Sequence, residues 1–157
     1  RCTRKSGNYI SGRKLMVKKP LTANDYPIAE TQPDEVIGTR GKPLSSLTME
    51  SVINGDVSME DLRITPQALE KQAEIATSIG RSALASNLKR ASEMTRLPQS
   101  EVMAIYELLR PGRATSVRDL LDAANRVRND YDAQLLGDFL DEAASFYNQR
   151  GLFRRRY

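Results

Sequence analysis

From Ala68 to Ile79 the apolar residues Ala68, Leu69, Ala73, Ile75, Ala76 and Ile79 fall, at about 100° per residue, on one arc of roughly 160°. Gln67, Glu70, Lys71, Glu74, Thr77 and Ser78 occupy the other side, so the pattern predicts an amphipathic helix. Its ends are marked. Thr65 suits an N-cap, Pro66 suits the first helical position with its fixed φ and missing donor, and Gly80 suits the exit. Gln72 interrupts the apolar arc. An amide there needs a hydrogen-bonding partner, on the domain's own backbone or on another chain, because leaving it buried and unmatched costs about 1–3 kcal/mol.

The same punctuation recurs along the chain. Thr48 caps "MESVIN" before Gly55, and Ser58 with Asp61 forms a short turn resembling a capping box. A helix over about 82–95 gathers Leu84, Ala85, Leu88 and Ala91 on one side. Pro98 or Ser100 opens the next, with Val102, Ile105, Tyr106 and Leu109 inward and the breaker "RPGR" at 110–113 closing it. Ser116 and Asp119 start a fourth carrying Val117, Leu120, Leu121, Ala124 and Val127. A final helix over about 130–149 presents Leu135, Leu136, Phe139, Leu140, Ala143, Phe146 and Tyr147. No stretch alternates as a strand does, so the expectation is an all-α fold, a small bundle of about five helices with an extended N-terminal arm.

Residues 1–47 are rich in Gly, Pro, Ser and Lys, with turn signals at "KKPL", "NDYP", "TQPDE" and "TRGKP". We divide the chain into a flexible basic tail at 1–24, an extended arm at 25–47, a helical domain at 48–152 and a basic tail at 153–157. The arm's anchors are expected at Tyr26, Pro27, Ile28, Val36, Ile37, Leu44 and Leu47.

Charge and composition narrow the chemistry. The net charge of +4 comes from seven Lys and Arg residues among positions 1–24, which leaves the remainder at −3 and without the broad basic surface of a duplex binder. There is no His, and the one Cys, Cys2, has neither a disulfide partner nor a metal-ligand constellation. Asp138, Asp141 and Glu142 share a polar helical arc and read as a solvated face. Neither G-x-x-x-x-G-K-[ST] nor G-x-G-x-x-G occurs. The longest apolar run, Val102–Tyr106, is far short of the roughly 18 residues a membrane span needs. The opening "RCTRKSGNYI" carries no apolar signal core, so a cytoplasmic location is expected.

The segments "DYPIA" (25–29), "LTMESVINGDVSMEDLRITPQALEKQAEIATSIGRSALASNLKRASEMT" (47–95), "YELLRPGR" (106–113) and "FLDEAASFYNQRGL" (139–152) together resemble the small (gamma) subunit of adenosylcobalamin-dependent diol and glycerol dehydratases. The resemblance implies a dimer of heterotrimers with large (alpha) and medium (beta) subunits, which converts 1,2-diols such as propane-1,2-diol, or glycerol, to an aldehyde and water by a radical mechanism. It implies that adenosylcobalamin lies between the large and medium subunits, the substrate and its metal in the large one, and no catalytic residue here. The small subunit would support and clasp the large one. Matching positions with contact or structural roles are Asp25, Tyr26, Pro27 and Ile28 on the arm; Arg63, Thr65 and Pro66 before and at the first long helix; Gln72; Gly80 and Arg81; Asn87 and Arg90; and Tyr106, Arg110, Pro111 and Arg113. The basic, turn-rich start does not resemble the amphipathic segment that members housed in bacterial microcompartments often carry, and "FRRRY" at the end has no assigned role. The competing reading is a stand-alone helical adaptor, or a weak nucleic-acid binder using the basic tail.

Overall fold

A computed structural model describes residues 19–153 of the 157-residue chain; most of the basic tail, Cys2 and the arginines 154–156 lie outside the described residues. The described residues form seven α-helices: α1 (Ile28–Thr31), α2 (Met49–Ile53), α3 (Pro66–Ser78), α4 (Ser82–Met94), α5 (Gln99–Leu108), α6 (Val117–Tyr131) and α7 (Gln134–Arg150). Among them there is no strand, only an isolated bridge between Ile37 and Pro43, and no helix is long and apolar enough to cross a membrane. The all-α expectation holds, with five long helices and two short ones.

Local chemistry sets the helix starts. The Thr65 hydroxyl accepts from the Ala68 amide at 3.2 Å, with Pro66 in the first turn, and Thr48 accepts from Ser51 at 3.2 Å. At α6 the Asp119 carboxylate accepts from the Thr115 and Ser116 amides at 2.7 and 3.1 Å, and from the Ser116 hydroxyl at 3.0 Å. These hydrogen bonds hold the Asp119 carboxyl below its ordinary range, the Thr115 amide contributing most.

The last two helices divide later than the sequence pattern predicts. The fourth predicted helix continues to Tyr131, and the chain turns at Asp132, whose φ of 51° is left-handed, before α7 begins at Gln134. No Gly or Pro marks this break, and Asp tolerates the left-handed region better than most residues, so periodicity alone runs through it.

Two antiparallel hairpins result, α3 along α4 and α6 along α7, and they differ in what they bury. The second has a continuous core in which Leu120, Ala123, Ala124, Val127, Ala133 and Leu140 are fully enclosed, with Leu97, Ile105, Ala114, Leu136 and Ala144 around them. The first has a core cluster of only Ala73, Ala76 and Ala85, with Leu88 against it. Small side chains let α3 and α4 approach closely, and the buried Ser92 hydroxyl donates to Glu70 Oε1 across the seam at 2.9 Å.

The hairpins meet where α4 crosses α7. Ala133, at the N-cap of α7, has no side-chain acceptor, and Glu93 of α4 supplies one: its carboxylate accepts from the Leu135 and Leu136 amides at 3.1 and 2.8 Å. Arg90 stacks over the Phe139 ring at 4.5 Å, and Arg96 donates to the Asp132 carbonyl at 3.2 Å. On the far side of α7, Arg128 of α6 reaches across buried Gly137 to Asp138 and Asp141 at 2.7 and 2.6 Å. A Cβ at residue 137 would lie 2.6 Å from Arg128 Nε, so this crossing needs glycine.

Several side chains expected inward face solvent instead. Ile79, Leu84, Tyr106, Leu121, Leu135 and Phe146 are all exposed. For α7 the cause is geometric: Leu136 and Leu140 fill the seam with α6, leaving Leu135 and Phe146 at its margin, the latter under the Arg150 guanidinium at 4.2 Å.

The chain ahead of α3 is tied down by polar contacts. Arg40, on the turn bracketed by the Ile37–Pro43 bridge, donates through Nε to Asp61 Oδ1 at 2.7 Å, and its terminal nitrogen donates to Asp61 Oδ2 and to the Asp56 carbonyl. The Ser58 amide donates to Asp61 Oδ2 at 2.9 Å. The Arg40 hydrogen bonds, then that of Ser58, hold the Asp61 carboxyl far below the ordinary carboxylate range.

Two predictions follow from these contacts. Glu93→Ala removes the side-chain acceptor that α4 supplies to the start of α7 and should lower stability by about 1–2 kcal/mol in chemical denaturation, whereas an exposed-site control such as Glu142→Ala should stay within about 0.5 kcal/mol. Asp61 has a depressed folded pKa, so its stabilising effect is complete above the unfolded carboxylate value of about 4 and disappears as pH falls toward the folded one. Asp61→Asn should therefore lower the melting temperature at pH 7 and converge on wild type as the pH is taken well below 4.

Candidate subunit-docking surface

The segment 21–37 wraps α3 as a series of short turns. Thr22 leads into a 3₁₀ turn at Ala23–Asp25, and the Asp25 carboxylate accepts from the Thr22 amide at 2.7 Å and from Gln32 Nε2 at 2.9 Å. The Asp25 carbonyl accepts from the Thr31 hydroxyl at 2.7 Å. Hydrogen bonds from Thr22, then Gln32, and the positive charge of Lys19 hold the Asp25 carboxyl below its usual value. Two contacts fasten this segment to α3: the Leu21 amide donates to Glu74 at 2.9 Å, and Lys71 Nζ donates to the Glu35 carbonyl and carboxylate at 2.7 and 2.9 Å.

Fixed in this way, the wrapped segment and α3 leave two open grooves between them. One is lined by Tyr26, Pro27, Ile28, Val36, Ile37, Thr65, Pro66, Ala68, Lys71 and Gln72. The other is lined by Ala23, Tyr26, Gln72, Ile75, Ile79, Arg81, Leu84 and Leu88. Tyr26 and Gln72 border both. Of the segment's anchors, Tyr26 is 67% and Ile37 50% exposed while Ile28 and Val36 are half-buried, and Ile79 and Leu84 of the facing hairpin are exposed as well.

Gln72 does not find its partner within the chain. Its side chain is exposed on the ridge between the grooves, with no hydrogen bond to another described residue, because the wrapped segment passes beside α3 rather than over it. Of the two partners the sequence left open, the domain's own backbone is therefore excluded among the described residues.

Five of the proposed interface residues, Tyr26, Pro27, Ile28, Gln72 and Arg81, are brought together at the grooves. Asp25 braces the turn beneath them. The others lie apart. Arg63 pairs with Glu60 at 3.4 Å. Arg90 bonds Asn87 and covers Phe139. Arg110 and Arg113 both approach Glu107, at 2.9 and 3.7 Å, beside exposed Tyr106.

One exposed region was not singled out by sequence. Between Thr48 and Thr65, the side chains of Met49, Val52, Ile53, Met59, Leu62 and Ile64 are all exposed. Their spacing fits no single helical face, which is why periodicity passed over them. Of the sixteen large exposed apolar side chains among the described residues, eleven lie between Tyr26 and Leu84, beside the smaller core cluster.

Neither groove is enclosed, the chain has no His, and no cluster of metal-ligating side chains occurs among the described residues. What the surface suits is another protein's apolar surface, with Gln72 offering one donor and one acceptor at its centre.

A family model described as "Dehydratase small subunit" matches residues 21–154. The chain is 40% identical over 126 residues to a propanediol dehydratase small subunit of Citrobacter freundii, covering 80% of this chain and 73% of that protein. It is also 40% identical over 127 residues to a propanediol dehydratase small subunit of Salmonella typhimurium strain LT2, covering 81% and 73%.

Because Gln72 is exposed, the cost of replacing it moves from folding to binding. Gln72→Leu should change the stability of the isolated chain by less than about 0.5 kcal/mol. In an assembled complex it should weaken association by on the order of 1–2 kcal/mol, the size of a lost interfacial hydrogen bond, readable by titration calorimetry.

Proposed function

The chain belongs to the dehydratase small-subunit family, and we propose that it is the non-catalytic small subunit of an adenosylcobalamin-dependent propanediol or glycerol dehydratase, docked on the large subunit. In this reading the assembly converts 1,2-diols or glycerol to aldehydes and water by a radical route. The cofactor is held by the large and medium subunits, and the complex is a cytoplasmic dimer of heterotrimers. The observation that carries the docking role is the concentration of exposed large apolar side chains between Tyr26 and Leu84, beside a core cluster of three alanines.

This chain's part is structural. Its grooves present mainly apolar side chains with Gln72 between them, and several of its arginines are paired with acids: Arg126 with Glu101 at 2.7 Å, Arg128 with Asp138 and Asp141, Arg110 with Glu107. The competing nucleic-acid reading rests on the basic tail, most of which lies outside the described residues.

Co-expressed with large and medium subunits from the same source, the chain should elute with both and the complex should dehydrate propane-1,2-diol on addition of adenosylcobalamin. The isolated chain should show no turnover. Elution of the large and medium subunits without it, or activity unchanged when it is omitted, would contradict the assignment.

A further inference from the structure

The segment from Thr48 to Ile64 has the make-up of a docking knob. Within it only Val57 is buried among the apolar residues, while Met49, Ile53 and Met59 are 75–77% exposed. Its hold on the rest of the chain is polar. Arg40 grips Asp61 through two nitrogens and reaches the Asp56 carbonyl, Lys42 donates to that same carbonyl, and a Cβ at Gly38 would lie 3.1 Å from the Asp61 carbonyl. A lobe built by burial would turn its methionines inward. This one is fixed in shape by a charged clamp and turns them out.

We propose that this lobe is a pre-formed apolar knob that seats in an apolar, basic-rimmed recess of the large subunit, with the Arg40–Asp61 clamp holding it in the docking shape. The inference rests on the small-subunit reading. Three observations select the occupant. The exposed side chains present on the order of several hundred Å², a large part of the roughly 800 Å² per partner of a stable interface. The lobe runs through Ile64 into Thr65 and Pro66 at the edge of the Tyr26–Gln72 groove, so one partner can cover both. Of the four acids in residues 48–64, Asp61 is paired with Arg40 and Glu60 with Arg63, which leaves Glu50 and Asp56 without an ion-pair partner among the described residues. A second copy of this chain would set like charges against each other, whereas a basic rim would complement them.

The test uses the complex with large and medium subunits. Its natural probes are methionines: Met49, Met59 and, far along the chain on α5, Met103, all at least half exposed. Under limiting peroxide, assembly should slow oxidation of Met49 and Met59 by at least about tenfold relative to the free chain and leave Met103 within about twofold. The double variant Ile53→Ser, Met59→Ser should weaken retention on a tagged large subunit by at least about tenfold, while Met103→Ser should not. Arg40→Ala should also weaken it, with Arg40→Lys partly restoring it, since lysine keeps the charge but not the two-pronged grip. Circular dichroism of each free variant checks the fold, and the oxidation measurement on wild type needs no variant. Equal oxidation of Met49 and Met59 in free and assembled chain overturns the knob while leaving the small-subunit reading intact. Failure of the wild-type chain to assemble overturns both.

Discussion

The Glu93 carboxylate joins two parts of the molecule that otherwise meet over a narrow seam. Helix α7 begins at an alanine that cannot cap it, and its first amides are satisfied by a side chain from α4. That arrangement fixes the α4–α7 crossing, which Arg90 on Phe139 and Arg96 on the Asp132 carbonyl extend along its length. With α4 placed, α3 follows through the alanine seam and the Ser92–Glu70 hydrogen bond. The wrapped segment follows α3 through Lys71 and Glu74.

The order of attachment explains the division of labour. The α5–α7 half closes a core around Leu120, Val127 and Leu140, and five of its large apolar side chains remain exposed around it. The half before it has a core cluster of three alanines, with Val57, Leu69 and Ile75 also buried, and eleven large apolar side chains exposed along the grooves and the 48–64 lobe. A protein of this size buries proportionately less of its surface than a larger one, and a partner is the usual remedy. The proposed docking role accords with how the exposed apolar residues are distributed.

What sequence could reveal tracks the distance over which each interaction acts. The caps at Thr48, Thr65 and Asp119 are legible because acceptor and amide lie three or four residues apart. The Glu93 cap spans 42 and 43 residues and the Arg40–Asp61 clamp 21, and neither leaves a local pattern. The break at Asp132 carries no Gly or Pro, so periodicity joins Asp130 to the following helix. Of the grooves, Tyr26, Ile28 and Gln72 could be picked out, the last as a polar residue on an apolar arc. Met59 and Leu62 could not, because an apolar side chain in an aperiodic segment looks the same whether it packs inside or waits for a partner.

Amide hydrogen exchange, compared between the free chain and its complex with the large and medium subunits, tests most directly the claim that one half is self-sufficient and the other is completed by a partner. In the free chain, α6 and α7 should exchange slowest, and residues 21–94 faster. Assembly should slow exchange across 21–94, most of all in 26–37 and 48–84, and leave the exposed face of α5 and α6 unchanged. Protection appearing on α5 and α6, with 26–84 unaffected, would contradict the account.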